Sequence, residues 1–222
     1  MTVSSTNTSE VHFMNLDSIE GGFKLLEPRD GNHQYRVQDY DHEFYIASNK
    51  ESIDFEVFKC DESSYKIDQW ERFLKPKKAS RLTSFVIFDN FFVMGETENM
   101  ENRIKIINRE NGKSHYVKVK ADLAAVGPSG NPKFDTDTLR YSLSTMKIPN
   151  EVWHYNMRTQ EQRMVKKQEV KYHFAGKWIK NERVWAEARD GTMIPITLLY
   201  RSFDASKRND YKRMYLTSFG SY

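Results

Sequence analysis

Six histidines, one cysteine and two acids set one residue apart are the side chains of this 222-residue sequence that could do chemistry. A zinc site needs histidines at helical spacing, as in H-E-x-x-H, or histidine paired closely with cysteine. His12, His33, His42, His115, His154 and His173 show neither arrangement, so no metal and no other cofactor is expected. His154, in VWHYN, alternates with core positions and reads as a strand residue with a satisfied ring. Asp135 and Asp137, in FDTDT, could hold a metal or form an acid–base pair. The preferred reading is a turn, with their side chains accepting from nearby backbone amides ahead of a strand from Leu139 to Ser142. Lys75, Lys77 and Lys78 flank Pro76 and read as an exposed inter-strand loop rather than a phosphate contact. Cys60 follows a strand; a reactive thiol would need a depressed pKa, and a lone cysteine makes no internal disulfide. Trp70, Trp153, Trp178 and Trp185 read as packing residues.

The elements that must position these residues are strands. The length suits one large domain or two small ones, with a core that removes roughly 70% of the unfolded surface from water. A net charge of +3 is too weak to argue for nucleic acid or an anionic membrane as partner. The polar start MTVSSTNTSE lacks the apolar core of a signal peptide, and a single cysteine fits a reducing compartment, so a cytoplasmic location is expected. β-Branched and aromatic residues cluster in strand-length runs: HEFYIAS, DFEVFK, SFVIFD, NFFVMG, RIKIIN, HYVKVK, LRYSLS and EVWHYN. Turn signals such as Glu110-Asn111-Gly112-Lys113 and Gly127-Pro128-Ser129-Gly130 separate them.

These runs recur. Ile46, Val93 and Tyr141 fall in register, 47 and then 48 residues apart, each ending a strand that leads through a polar crossing to a second strand. The crossings end at Asp54, Asn102 and Asn150, and FEVFKCDESS, IKIINRENGK and VWHYNMRTQE follow. Three copies of a several-stranded unit at this period predict β-propeller blades, which bury their faces only by stacking on one another. No repeated G-H and W-D signature marks a WD-type propeller. Near residues 171 to 182 the chain turns polar and basic, and RVWAEARDGTMIPITLLY then reads as a hairpin with a positive-φ turn at Asp190-Gly191.

The runs NPKFDTDTLRYSLSTMKIPNEVWHYNMRTQEQRMVKKQEV, ERVWAEARDGTMIPITLLYRS and LTSFGSY closely resemble the prolyl oligopeptidase family of serine peptidases, in its oligopeptidase B branch. TSEVHFMNLD, HEFYIASNKESIDFEVFK and the stretch from Phe92 to Gly112 resemble the same family, so the likeness covers essentially the whole chain. It is specific in FDTDTLRY and RVWAEARDG and looser between residues 60 and 85. The resemblance implies a seven-bladed propeller capping an α/β-hydrolase domain, whose Ser, Asp and His cut peptides, usually after Arg or Lys in this branch. The expected fold is therefore all-β: a partial β-propeller of about three four-stranded blades in residues 1–180, then the first strands of an α/β-hydrolase domain in 181–222.

A nucleophile of that class sits on a G-x-S-x-G turn, and this sequence has none; the nearest string, Gly127-Pro128-Ser129-Gly130, lacks the spacing. The resemblance puts Ser, Asp and His beyond the position of Tyr222, so no catalytic residue is expected here and the chain alone is expected to be inactive. Where the family commonly reads LYGYG, this chain reads Leu216-Thr217-Ser218-Phe219-Gly220, so Phe219 matches a tyrosine whose hydroxyl helps hold the oxyanion. Loss of one such donor typically slows catalysis about 100- to 1000-fold. A plain core role for Phe219 is the preferred alternative. The expected function is the non-catalytic portion of an oligopeptidase B-like peptidase. Its partners would be the remaining propeller and hydrolase parts and, through them, short peptides. A stand-alone binding module and a truncated inactive remnant are the other readings.

Overall fold

The computed structural model describes residues 1–170, 179–201 and 215–217. Strands β1 (Thr2–Ser4), β2 (Ser9–Phe13) and β3 (Lys24–Leu25) form a small antiparallel sheet. Three four-stranded antiparallel meanders follow. The first contains β4 (Tyr35–Tyr40), β5 (Glu43–Ser48), β6 (Glu56–Asp61) and β7 (Glu71–Leu74) in that spatial order. The second contains β8 (Ser80–Ile87), β9 (Phe91–Glu98), β10 (Glu101–Asn108) and β11 (Ser114–Tyr116). The third contains β12 (Ala125–Pro128), β13 (Thr138–Ser144), β14 (Glu151–Asn156) and β15 (Gln162–Lys167). A last pair, β16 (Ile179–Glu187) and β17 (Met193–Arg201), forms a sheet of its own.

The register read from sequence falls on equivalent strands. Ile46, Val93 and Tyr141 lie on β5, β9 and β13, the second strand of each meander, and expose 0%, 0% and 1% of their surface. Their partners across the next strand are Phe58, Ile106 and Trp153. Two details differ from expectation: Ile46, Val93 and Tyr141 sit within their strands rather than ending them, and Asn102 lies within β10 rather than ending a crossing. The small sheet of β1 to β3 had no counterpart in the three predicted copies.

Successive residues of a strand point to opposite faces, and here both faces are covered. Tyr45 and Ala47 pack with Phe85, Phe92 and Met94 between the first and second meanders. Val93, Ile104 and Ile106 pack with Leu139, Tyr141 and Tyr155 between the second and third. Ile46, Phe44 and Phe58 face Val11 and Leu26 of the small sheet. Burial on both sides explains why FYIA and FFVM read as continuous apolar runs rather than as alternation.

Each third strand also ends in the same turn. Asp61 Oδ1 accepts from Ser63 N at 2.8 Å, Asn108 Oδ1 from Glu110 N at 3.0 Å, and Asn156 Oδ1 from Arg158 N at 2.9 Å. An Asx side chain here mimics a backbone acceptor and reverses the chain in place. Gly112, at φ 68°, supplies the left-handed residue that closes the second of these turns.

Two of the joints hold histidines, His33 buried and His115 half-buried. His33 packs on Tyr35 at 5.0 Å, and its Nε2 lies 2.8 Å from Ser48 Oγ. Burial holds His33 below its ordinary pKa of 6.5, helped by Lys50 and opposed by Asp30. Burial does the same for His115, whose ring lies 6.0 Å from Tyr155. At these two sites the unfolded chain therefore binds more protons than the folded one below about pH 6.5, and the stability they contribute falls as the pH falls through that range. Urea midpoints measured from pH 7.5 down to 5 are expected to drop, and to drop less in a His33→Asn, His115→Asn double variant. An unchanged slope in that variant would contradict the assignment.

Candidate functional site

The strands alternate in direction, so each meander places its turn between second and third strands at one end of the stack. Segments 49–55, Asn99-Met100 and 145–150 lie there, together with the connectors 75–79 and 117–124 that lead to the next meander. The hairpin of β16 and β17 rests on this end. Arg183 Nη1 donates to Met100 O at 3.1 Å and Asn99 O at 3.5 Å, while its Nη2 donates to Thr197 Oγ1 at 3.2 Å within the hairpin. Asn181 Nδ2 reaches Asp122 O at 3.5 Å. The Asn99-Met100 turn, at φ 50° and 64°, is of the primed two-residue kind that joins twisted strands, which turns these carbonyls out of the ladder.

Asn181 and Arg183 share one face of the hairpin by strand alternation. Val184 and Ala186 share the opposite face with their cross-strand partners Ile196 and Ile194, and Leu198 continues it. Ile194 is 47% exposed and Val184 39%. The face toward the stack also carries Trp185 with its partner Pro195, and Leu199 opposite Asn181, while the opposite face carries Lys180 and Glu182 beside its apolar groups. The hairpin's bend matches the expected position: Gly191 has φ 81°, and Asp190 Oδ1 accepts from Thr192 N at 3.0 Å.

At the other end of the stack, Arg109 joins the meanders. Its guanidinium lies 4.1 Å over the ring of Tyr40 and 4.9 Å over that of Phe92, and Nη1 donates to Phe88 O and Asp89 O at 3.1 and 2.9 Å. Tyr40 in turn stacks on Phe134 at 4.6 Å. Between the first strands, the Gln38 carboxamide bridges to β8, donating to Phe85 O and accepting from Ile87 N.

The side chains singled out from sequence do not converge. Among the described residues no three His, Cys, Asp or Glu side chains are grouped to hold a metal. His12 Nε2 lies 3.4 Å from Glu10, and the Glu62 carboxylate raises the pKa of exposed His42. His154 is half-buried on β14, flanked across the sheet by Arg140 and Arg163; among the described residues its ring has no hydrogen-bond partner, contrary to expectation. Asp137 also departs from its predicted role. Its carboxylate takes Arg158 Nε at 2.9 Å, and Thr136 Oγ1 accepts from the Thr138 amide instead. Lys75, Lys77 and Lys78 lie exposed in the connector between β7 and β8, as expected, and there Lys75 pairs with Glu56 at 2.8 Å and Lys77 with Glu98 at 2.7 Å.

Cys60 lies within β6 rather than after it, and burial pushes its thiol up to about 11, away from reactivity. Trp70 packs on Tyr35 and Phe58, and Trp153 stacks on Tyr141, as packing residues should. Trp185 does not: it is 47% exposed, on a two-stranded sheet with no second layer among the described residues. His173, Trp178 and Phe219 lie outside the described residues. Among the described residues no helix is long and apolar enough to cross a membrane.

The family model for the prolyl oligopeptidase N-terminal beta-propeller domain matches residues 1–168. Dipeptidyl aminopeptidase BI of Pseudoxanthomonas mexicana is 33% identical over 224 residues, an alignment that takes in all of this chain and 30% of that protein. Protease 2 of Moraxella lacunata is 22% identical over 225 residues, covering 99% of this chain and 31% of its own length. Among solved structures, oligopeptidase B from Trypanosoma brucei, in a closed form with covalently bound antipain, superposes with a TM-score of 0.79 at 20% identity. That likeness covers 92% of this chain and 31% of the other. Oligopeptidase B from Leishmania major gives 0.78 at 20% identity, covering 89% and 29%. The chain spans about 30% of the length of the curated relatives it matches.

Proposed function

The chain belongs to the prolyl oligopeptidase family, and from that premise we propose that it supplies late propeller blades, in residues 1–180, and the opening strands of an α/β-hydrolase domain, in 181–222. The protein so completed is an oligopeptidase B-like serine peptidase of the cytoplasm, cutting short peptides beside basic residues. Its propeller keeps folded proteins from the catalytic site. One observation carries this reading: the hairpin pairs with no blade among the described residues, is fixed to the blade ends by Arg183 and Asn181, and carries Val184, Ala186, Ile194, Ile196 and Leu198 on the face opposite those two anchors. A sheet so placed is what a further domain builds upon. Phe219, matching a family tyrosine, leaves the oxyanion one donor short and predicts a slow enzyme.

Two assays test the proposal. The 222 residues alone, lacking a G-x-S-x-G turn, are expected to release no product above background from Arg- or Pro-containing fluorogenic peptides. A chimera carrying residues 1–168 in place of the matching segment of the Pseudoxanthomonas relative is expected to cut short peptides and spare folded proteins. Turnover by the isolated chain, or a chimera that degrades folded proteins, overturns the reading.

A further inference from the structure

We propose that Arg36 and Arg81 together form a binding pair for the carboxylate of a short peptide. Both belong to first strands, β4 and β8, which are neighbours in the stack, and each of these pairs within its sheet with one strand only, β5 or β9. Their other edges pair with no strand among the described residues. Both arginines lie toward the end where the hairpin rests, and both guanidiniums converge on one ring: Arg36 at 5.9 Å and Arg81 at 5.6 Å from the centroid of Phe55. Phe55 is 5% exposed and held at φ 62° where the 49–55 segment enters β6, so it is a fixed platform. An aromatic platform restrains the planar fork of arginine and leaves its donors directed outward.

Those donors have no acceptor within the protein. Among the described residues neither arginine makes an ion pair or a side-chain hydrogen bond, although Glu51 and Asp54 lie in the adjoining segment; Asp54 uses its backbone carbonyl, at 2.8 Å from Leu82 N. Neighbouring cations are differently placed. Arg72 and Lys75 are paired with Glu56, and Lys77 and Arg103 with Glu98. Two exposed forks of like charge, held on one ring, form a site for a carboxylate, which can accept from both. This inference rests on the peptide-handling function proposed above and adds to it a preference for peptides that carry an acidic group.

The test titrates three peptides into the full chain at low and high salt, followed by the arginine Nε–H NMR signals. They are acetyl-Ala-Ala-Ala as free acid, the same peptide as its C-terminal amide, and acetyl-Ala-Asp-Ala amide. The free acid is expected to bind roughly 10-fold more tightly than the amide, with the advantage shrinking as salt rises. The aspartyl peptide shows whether a side-chain carboxylate serves as well as a terminal one. Arg36→Gln with Arg81→Gln is expected to erase the difference while keeping the native melt, and the double lysine variant to restore only part of it. Equal binding of acid and amide by the native chain, no binding by any of the three, or discrimination that survives in the glutamine variant overturns the pair. None of these results touches the chimera assay, on which the peptidase reading stands or falls separately.

Discussion

Val93→Asp is expected to abolish the sharp melt of this chain. Val93 is 0% exposed on β9, opposite Val86 and Ile106, in a cluster with Phe91, Tyr141 and Tyr155. A carboxylate there meets apolar neighbours and no cation, at a cost of several kcal/mol against a total stability of about 5–15 kcal/mol. Position in the stack decides how far the damage spreads. Stacked units gain stability from nearest-neighbour interfaces, and β9 serves two of them: Val93 faces the third meander, while Phe92 and Met94 face the first. Losing the middle meander removes both sheet-on-sheet interfaces and leaves the Tyr40–Phe134 stack as the direct contact between the first and third meanders. Ile46→Asp is the control, since Ile46 faces the small first sheet. That variant loses the first meander and should retain hydrogen-exchange protection in residues 80–167, where Val93→Asp should retain little. A Val93→Asp chain melting within a few degrees of the native one would mean that the meanders do not depend on stacking.

The contrast between Ile46 and its surroundings shows what the sequence carries. Apolar runs at the second strand of each meander were legible because burial on both faces removes polar residues from the strand. The end of β9 was not. Thr97, Glu98, Glu101 and Asn102 are polar and read as a crossing, yet Asn102 Nδ2 donates to Thr97 Oγ1 at 2.9 Å and Arg103 pairs with Glu98 across the strands. Cross-strand polar pairs stabilise a ladder without leaving an apolar signature. The small first sheet leaves little signal for another reason: its strands run from two to five residues, and its connection exposes Ile19 and Phe23. The hairpin was legible through Asp190-Gly191, but its attachment was not, because the Met100 and Asn99 acceptors for Arg183 are backbone carbonyls more than 80 residues away. Three glutamates open third strands, Glu56, Glu101 and Glu151, but only Glu56 and Glu151 hold the same register, two residues before Phe58 and Trp153, where the middle meander has Ile104. Two of the three are buried and bind a lysine: Glu56 with Lys75 and Glu151 with Lys167.

Removing both cations from Glu56 is expected to cost more than removing the glutamate with them. The Glu56 side chain is 2% exposed; Arg72 Nε lies 2.5 Å from one carboxylate oxygen and Lys75 Nζ 2.8 Å from the other. Burial pushes this carboxyl upward, but Lys75 and Arg72 outweigh it and hold it below the ordinary 4.5. Arg72→Ala with Lys75→Ala leaves a buried carboxylate unpaired and should destabilise the chain by about 2–4 kcal/mol at pH 7. Adding Glu56→Leu should recover most of that loss, because the apolar replacement has no charge to desolvate. The pH dependence follows from the direction of the shift. A depressed carboxyl contributes stability above its unfolded pKa and loses it as pH falls through the folded value. The native chain therefore forfeits this contribution in acid, whereas the double variant, whose Glu56 protonates readily, has little left to lose. The gap between their urea midpoints is expected to narrow from pH 7 to pH 4. A gap that stays constant, or a triple variant no more stable than the double, would show that Glu56 is held by something other than these two cations.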